Sequence, residues 1–164
     1  MIRKSATKKH RRKSLAPGSK NVRIRSAKRE DAGEMAQLSG QLGYPLTRKE
    51  MELRIRTVLT RRSQKLLVAD IDGKVAGWLE VFIPLSVLNW GKAEVGALVV
   101  DAASRGRGVG HKLLEAGRIW SRQRGSRFIY LRSNVKRRGA HKFYLKSGYK
   151  IYKSQHVFKL LIDE

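Results

Sequence analysis

Apolar residues change their spacing along the chain, and each change predicts an element. Val22 and Ile24 alternate with Arg23 and Arg25 up to Ser26, the period of a half-buried strand. Ala32, Met35, Ala36, Ser39 and Leu42 then recur at helical spacing, so they share one face of an amphipathic helix that Gly43-Tyr44-Pro45 breaks. Thr47-Arg48-Lys49-Glu50 reads as a capping box. It predicts a second helix burying Met51, Ile55, Val58 and Leu59. Apolar runs at 66–71 and 75–83 predict two strands joined by a tight turn at Asp72-Gly73, and Pro84 stops the second. A strand over 93–100 follows. Val109, Leu113, Ala116 and Trp120 then mark a buried helix face that ends near Gly125. Residues 128–132 predict another strand, Phe143-Tyr144 a short helix, and 149–161 closing strand material; no internal repeat occurs. A strand, two helices, an antiparallel meander and then helix-crossed strands predict an α/β domain, a three-layer α/β/α sandwich.

Composition narrows the function classes. A chain of 164 residues suits one such domain, here assigned to 21–164. No apolar run reaches the roughly twenty residues of a membrane span, and the N-terminus lacks the apolar centre of a secretory signal, so a cytoplasmic protein without membrane contact is expected. The absence of cysteine excludes disulfides, thiolate metal sites and an acyl-cysteine intermediate. Four scattered histidines give no reason to expect a metal.

Charge is uneven. The formal net charge is +24, and Met1 to Arg29 holds 12 Lys or Arg with no acidic residue, leaving 25 against 13 over the rest. Residues 1–20 therefore predict a basic disordered tail. Three meanings stay open for it: an arm for nonspecific nucleic-acid or ribosome contact, a transit peptide, or a solvated extension. Nucleic-acid binding carried by that tail would collapse with rising salt and vanish on its deletion.

The segment with most chemical content is Val99-Val100-Asp101-Ala102-Ala103-Ser104-Arg105-Gly106-Arg107-Gly108-Val109-Gly110-His111, which runs from strand through glycine loop into helix. A helix starting near Gly108 leaves its first N–H groups unpaired, a ready anion site, and Arg105 and Arg107 add two permanently charged donors. A Walker loop is excluded because His111-Lys112, rather than Lys and then Ser or Thr, follows Gly110. The dinucleotide fingerprint fails because His111 stands where its third glycine belongs.

Arg105-x-x-Gly108-x-Gly110 resembles instead the acyl-CoA loop of the GNAT superfamily of N-acyltransferases. The stretch from Asn134 to Tyr149, with Phe143-Tyr144 on a short helix ending at Gly148, is similar to that superfamily's later motif. The resemblance covers most of 21–164, is strongest over 94–149, and is nearest to small bacterial GNAT enzymes acting on amines. It implies a mixed, mainly antiparallel central sheet that splays to admit pantetheine, and acetyl-CoA as co-substrate with no metal. A primary amine, small molecule or peptide, would attack the thioester directly in a ternary complex. A homodimer is left open. The alternative is a GNAT-fold module brought to nucleic acid or the ribosome by its tail, with little or no catalysis.

The resemblance also assigns roles. Tyr144 matches the position whose phenol faces the cofactor sulfur and protonates the leaving thiolate. Leu98, Val99 and Val100 supply the backbone that holds carbonyl and pantetheine, while Arg105, Gly106, Arg107, Gly108, Val109, Gly110 and His111 cradle the diphosphate. Asn134 either reaches the pantetheine or serves as a turn residue. His141 either assists proton relay or is an exposed helix histidine. Glu94, on the strand entering the loop, is the first choice of general base. Glu80 competes, since a carboxylate between Trp78 and Phe82 has reason for a raised pKa. Glu34, in an acidic cluster on the first two helices, and Glu80 are expected to contact a cationic amine; the cluster equally suits helix N-terminal capping.

Overall fold

The computed structural model describes residues 21–88 and 91–162. Within them the chain runs β1 (Val22–Ser26), α1 (Ala32–Leu42), α2 (Arg48–Leu59), β2 (Gln64–Ile71), β3 (Lys74–Phe82), β4 (Lys92–Val100), α3 (Val109–Gln123), β5 (Phe128–Leu131) and α4 (Arg138–Lys146), with single 3-10 turns at Arg29–Asp31 and Ala102–Ser104. The tail assigned to 1–20 lies outside the described residues.

Five strands form one sheet in the order β1-β2-β3-β4-β5; all neighbours are antiparallel except β4 and β5. Strand side chains alternate between two cores. Val68, Trp78 and Val99 pack beneath α1 and α2 with Met35, Met51 and Ile55. Leu67, Leu79, Val81 and Val95 meet Val109, Leu113 and Trp120 of α3 on the other face. This is the expected three-layer α/β/α sandwich.

Local chemistry explains the element ends. The β2–β3 turn places Asp72 and Gly73 at φ 54° and 82°, the left-handed pair that a two-residue hairpin requires. Thr47 accepts from the Glu50 N–H while the Glu50 carboxylate accepts from the Thr47 N–H, closing the capping box of α2. Leu59, expected in the core, is half exposed at the last position of α2, just before the turn that leads into β2. Residues 149–162 form no strand, contrary to the alternating pattern: among the described residues Tyr149 N–H bonds back to Tyr144 O at 3.1 Å, and no backbone hydrogen bond ties 150–162 to another segment.

Arg25 of β1 ties the first core together by donating to Asp31 at 2.8 and 2.9 Å and to Asp70 at 3.0 Å. Burial pushes the Asp31 carboxyl up, but the Arg25 guanidinium and the Lys28 N–H outweigh it and hold the group below its ordinary value. A depressed pKa contributes stability above the unfolded value, about 3.9, and that contribution is lost as pH falls through the folded value. Asp31→Asn is therefore expected to cost about 1.5–3 kcal/mol at pH 7, the worth of hydrogen bonds to a charged group. In denaturant titrations the gap between the two proteins should shrink once pH drops below about 3.9.

Candidate active site

The site begins with an irregularity in β4. Val95 pairs with Val81 and Ala97 with Glu80, so Gly96 is one extra residue, a β-bulge. A Cβ on Gly96 would lie 3.0 Å from Glu80 Oε2 and 3.1 Å from Phe82 Cε1, so glycine here makes room for the Glu80 carboxylate. At the same level the sheet opens. β5 pairs with Lys92 through Val95 and stops, whereas β4 continues to Val100. Gly96, Ala97, Leu98, Val99 and Val100 thus have β3 on one side and a gap on the other, into which alternate backbone groups point. Just past the end of β5, the Ser133 hydroxyl is buried without a hydrogen-bond partner among the described residues.

The gap leads to the start of α3. Gly106 and Gly108 adopt φ 76° and 77°, a left-handed conformation costly for other residues, and the space beside each is open. The first backbone bond into the helix runs from Lys112 N–H to Gly108 O at 3.1 Å, so the N–H groups of Val109, Gly110 and His111 precede the hydrogen-bonded ladder. Arg105, Gly106, Arg107 and Gly108 are exposed beside them, and Arg105 Nε donates to Val100 O at 3.1 Å. Gln41 of α1 pins the start of this loop. Its amide donates to Asp101 Oδ1 at 3.0 Å and accepts from Ala102 N–H at 3.1 Å, a contact across sixty residues that no sequence pattern marks. Anionic and amide groups of an extended thioester cofactor fit this surface: unpaired helix N–H groups at one end, an open strand along its length and an unpartnered hydroxyl at its mouth.

Gly110 acts by packing rather than by loop geometry. A Cβ there would sit 2.9 Å from Phe143 Cζ, so glycine lets α4 close on α3. Phe143 is held between His111, with ring centroids 4.9 Å apart, and Tyr144 at 5.3 Å. Gly110→Ala is expected to destabilise the fold by about 1–3 kcal/mol through overpacking, read in a denaturant titration, and to weaken cofactor binding by displacing α4.

Tyr144 lies on α4 and packs against the second core, as Leu98, Val100 and Leu131 do. Burial pushes its phenol above the ordinary value, with Arg137 pulling the other way, so the hydroxyl stays protonated at neutral pH. Tyr149, its ring 6.0 Å away, is pushed up to about 12, mainly by burial. His111 Nδ1 meets Ser147 Oγ at 3.0 Å, joining α3 to the end of α4. Asn134 forms a turn, its Oδ1 accepting from Lys136 N–H at 2.9 Å, and its carbonyl lies 3.0 Å from His141 Nε2.

The three carboxylates separate. Glu80 and Glu94 share the α1/α2 face of the sheet, since Glu94 pairs directly with Phe82, two residues beyond Glu80. Glu94 is ion-paired with Arg132. Glu80 has no such partner among the described residues, and burial raises its pKa. Glu34 is not brought to them: its carboxylate accepts from Val75 N–H at 3.1 Å, fastening α1 to the far end of β3, about 16 Å along the strand from Glu80. Its distance follows from α1 crossing the sheet toward the phosphate loop. Among the described residues no group of three or more His, Asp or Glu side chains gathers that could hold a metal, and no helix is long and apolar enough to cross a membrane.

Residues 31–149 match the model of the acetyltransferase (GNAT) family. The chain belongs to this family. A curated relative, the aminoalkylphosphonate N-acetyltransferase of Salmonella typhimurium, is 37% identical over 81 residues, 48% of this chain and 52% of the relative, so the chain spans about half that relative's length. Among solved structures, the glucosamine-6-phosphate N-acetyltransferase of Arabidopsis thaliana superposes with TM-score 0.71 and 25% identity over 87% of this chain and 99% of that one. The aminoglycoside N-acetyltransferase AAC(6')-Iy in complex with CoA superposes with TM-score 0.78 and 18% identity, covering 91% of this GNAT chain and all of the other. That second likeness concerns the fold alone.

Proposed function

We propose that this GNAT protein is an N-acetyltransferase that moves an acetyl group from acetyl-CoA to a primary amine by direct attack in a ternary complex. The carrying observation is that β4, from the Gly96 bulge opposite Glu80 towards the unpaired N–H groups of α3, has β3 as its one neighbour among the described residues. In that reading the α3 N-terminus with Arg105 and Arg107 grips the diphosphate, and the gap beside Leu98, Val99 and Val100 takes the pantetheine. A backbone N–H at the bulge stabilises the carbonyl oxygen as it charges. Glu80 accepts the amine proton as nitrogen bonds to the acyl carbon, the carbon–sulfur bond breaks, and Tyr144 gives its proton to the departing sulfur. Glu94, first choice from sequence, takes the lesser part of holding Arg132 at the site rim, because its carboxylate is already engaged by that guanidinium.

The acceptor in this reading is a small amine that also carries an anionic group. A chain of net charge +24 attracts anions and repels polycations. Two of the relatives above are named for amines bearing phosphonate or phosphate. Thiol release from acetyl-CoA tests this across an aminoalkylphosphonate, an amino-sugar phosphate, an aminoglycoside and a peptide. Turnover should favour the first two; turnover confined to the aminoglycoside or peptide would reject the anionic acceptor, and none with any amine would reject the enzyme. Arg105→Ala should weaken acetyl-CoA binding by about 1.5–3 kcal/mol in calorimetry, the worth of a charge-assisted hydrogen bond. A smaller loss would leave the backbone as the sole grip.

A further inference from the structure

The ion pair between Arg132 and Glu94 is incomplete. Arg132, the residue after β5, donates from Nη2 to Glu94 Oε1, and no second bond joins them. Guanidinium and carboxylate have matching forks and frequently close two parallel bonds. Here, among the described residues, Glu94 Oε2 accepts no hydrogen bond and Arg132 Nε and Nη1 donate none. Each partner keeps a free side.

Register brings those free sides to the level of the bulge. Glu94 lies opposite Phe82 on β3 and Tyr130 on β5, so all three share one face of the sheet. Arg132 returns to that face two residues after Tyr130. Val95 pairs with Leu131, which puts Arg132 level with Gly96, and Glu80 stands on the far side of that glycine. At this level β4 carries no side chain between Glu80 and Arg132. Exposure gives the arrangement a direction. The Glu94 side chain is 19% exposed and that of Arg132 is 76%, so negative charge lies deep and positive charge at the mouth. An amine that enters to meet a thioester in the gap leaves its far end beside the guanidinium.

We infer that Arg132 and Glu94 form a clamp for a zwitterionic acceptor. Glu94 Oε2 holds the ammonium on entry, and Arg132 Nε and Nη1 hold a phosphonate, phosphate or carboxylate group at its other end. The contact between the two side chains fixes the guanidinium before the acceptor arrives, which lowers the ordering cost of binding. A polycation meets one attractive group and one repulsive one. The inference rests on the proposed transfer to an anionic amine and adds which side chains read the anion.

Calorimetry of aminoethylphosphonate and of propylamine, with CoA in excess, tests the clamp without turnover; the second ligand carries a methyl group in place of the anion. The wild-type protein should bind the phosphonate about 10–100-fold tighter, the worth of a hydrogen bond to a charged group. Arg132→Gln should erase most of that preference, and Arg132→Lys, which keeps the charge without the fork, should retain part of it. Glu94→Gln should weaken propylamine, which offers only the ammonium, by about tenfold. Both positions lie outside the two cores, so the variants should fold. Equal wild-type affinity for the two ligands, a preference that survives Arg132→Gln, or an unchanged propylamine affinity in Glu94→Gln would each overturn the clamp. A protein that binds the phosphonate through Arg132 yet releases no thiol from acetyl-CoA would reject acetyl transfer and leave the clamp standing.

Discussion

Tyr144→Phe is expected to lower kcat by about 10²–10⁴-fold, the usual worth of a positioned proton donor, with little change in acetyl-CoA affinity. The physical basis is twofold. Burial keeps the phenol protonated well above neutral pH, and α4 packs it against the second core, which Leu98 and Val100 of β4 also border. A thiolate leaving into such a poorly solvated gap needs a proton from a fixed donor. Phenylalanine retains the ring contacts with Phe143 and Tyr149, so the variant should unfold at the wild-type denaturant midpoint and the loss should appear in kcat alone. Tyr149 supplies the contrast. Its phenol is pushed up to about 12 by burial, with Tyr144 and Glu115 adding to the rise, and it follows α4 rather than lying on it. Tyr149→Phe should cost less than about tenfold. A full rate in Tyr144→Phe beside a large loss in Tyr149→Phe would transfer the role.

Glu80→Gln carries the second large effect, a loss of about 10²–10⁴-fold in kcat/KM that also changes the shape of the pH profile. Burial raises the Glu80 pKa, and the base works only when deprotonated. In the wild-type protein the rate should therefore climb with pH through a midpoint above the ordinary carboxylate range, which begins near 4.3. Glutamine removes that limb along with most of the rate. Glu94→Gln separates the two carboxylates: it breaks the ion pair with Arg132 and should act on KM for the acceptor, with the limb in place. Loss of the limb in Glu94→Gln and its persistence in Glu80→Gln would return the base to Glu94.

Much of the scaffold is legible in the sequence, because its signals are local. Asp72-Gly73 between two apolar runs can hardly be anything but a tight hairpin, and both residues adopt the left-handed angles. Thr47 and Glu50 announce a helix start by chemistry confined to four residues. The glycine loop is legible for the same reason. What is hidden depends on distance along the chain. Gln41 reaching Asp101, Glu34 reaching Val75 and Arg132 reaching Glu94 are each set by how helices cross the sheet. Those contacts decide which carboxylate remains desolvated and which is spoken for. Gly96 is an intermediate case: a lone glycine inside a strand suggests a bulge, yet only the register reveals that the extra residue lies opposite Glu80. The 149–161 segment fails for a different reason. Alternation describes a chain able to be a strand, while a strand exists only when hydrogen-bonded to a neighbour, and among the described residues no backbone bond joins 150–162 to another segment.

The central claim is that the N–H groups opening α3 grip the diphosphate of CoA while the pantetheine lies in the gap between β4 and β5. A crystal structure of the chain grown with CoA tests this most directly. The diphosphate should lie within hydrogen-bonding distance of the amides of Val109, Gly110 and His111, with the sulfur beside Tyr144 at the level of Gly96. Density for the diphosphate on another surface, or a folded protein that shows no CoA even at millimolar nucleotide, would contradict it.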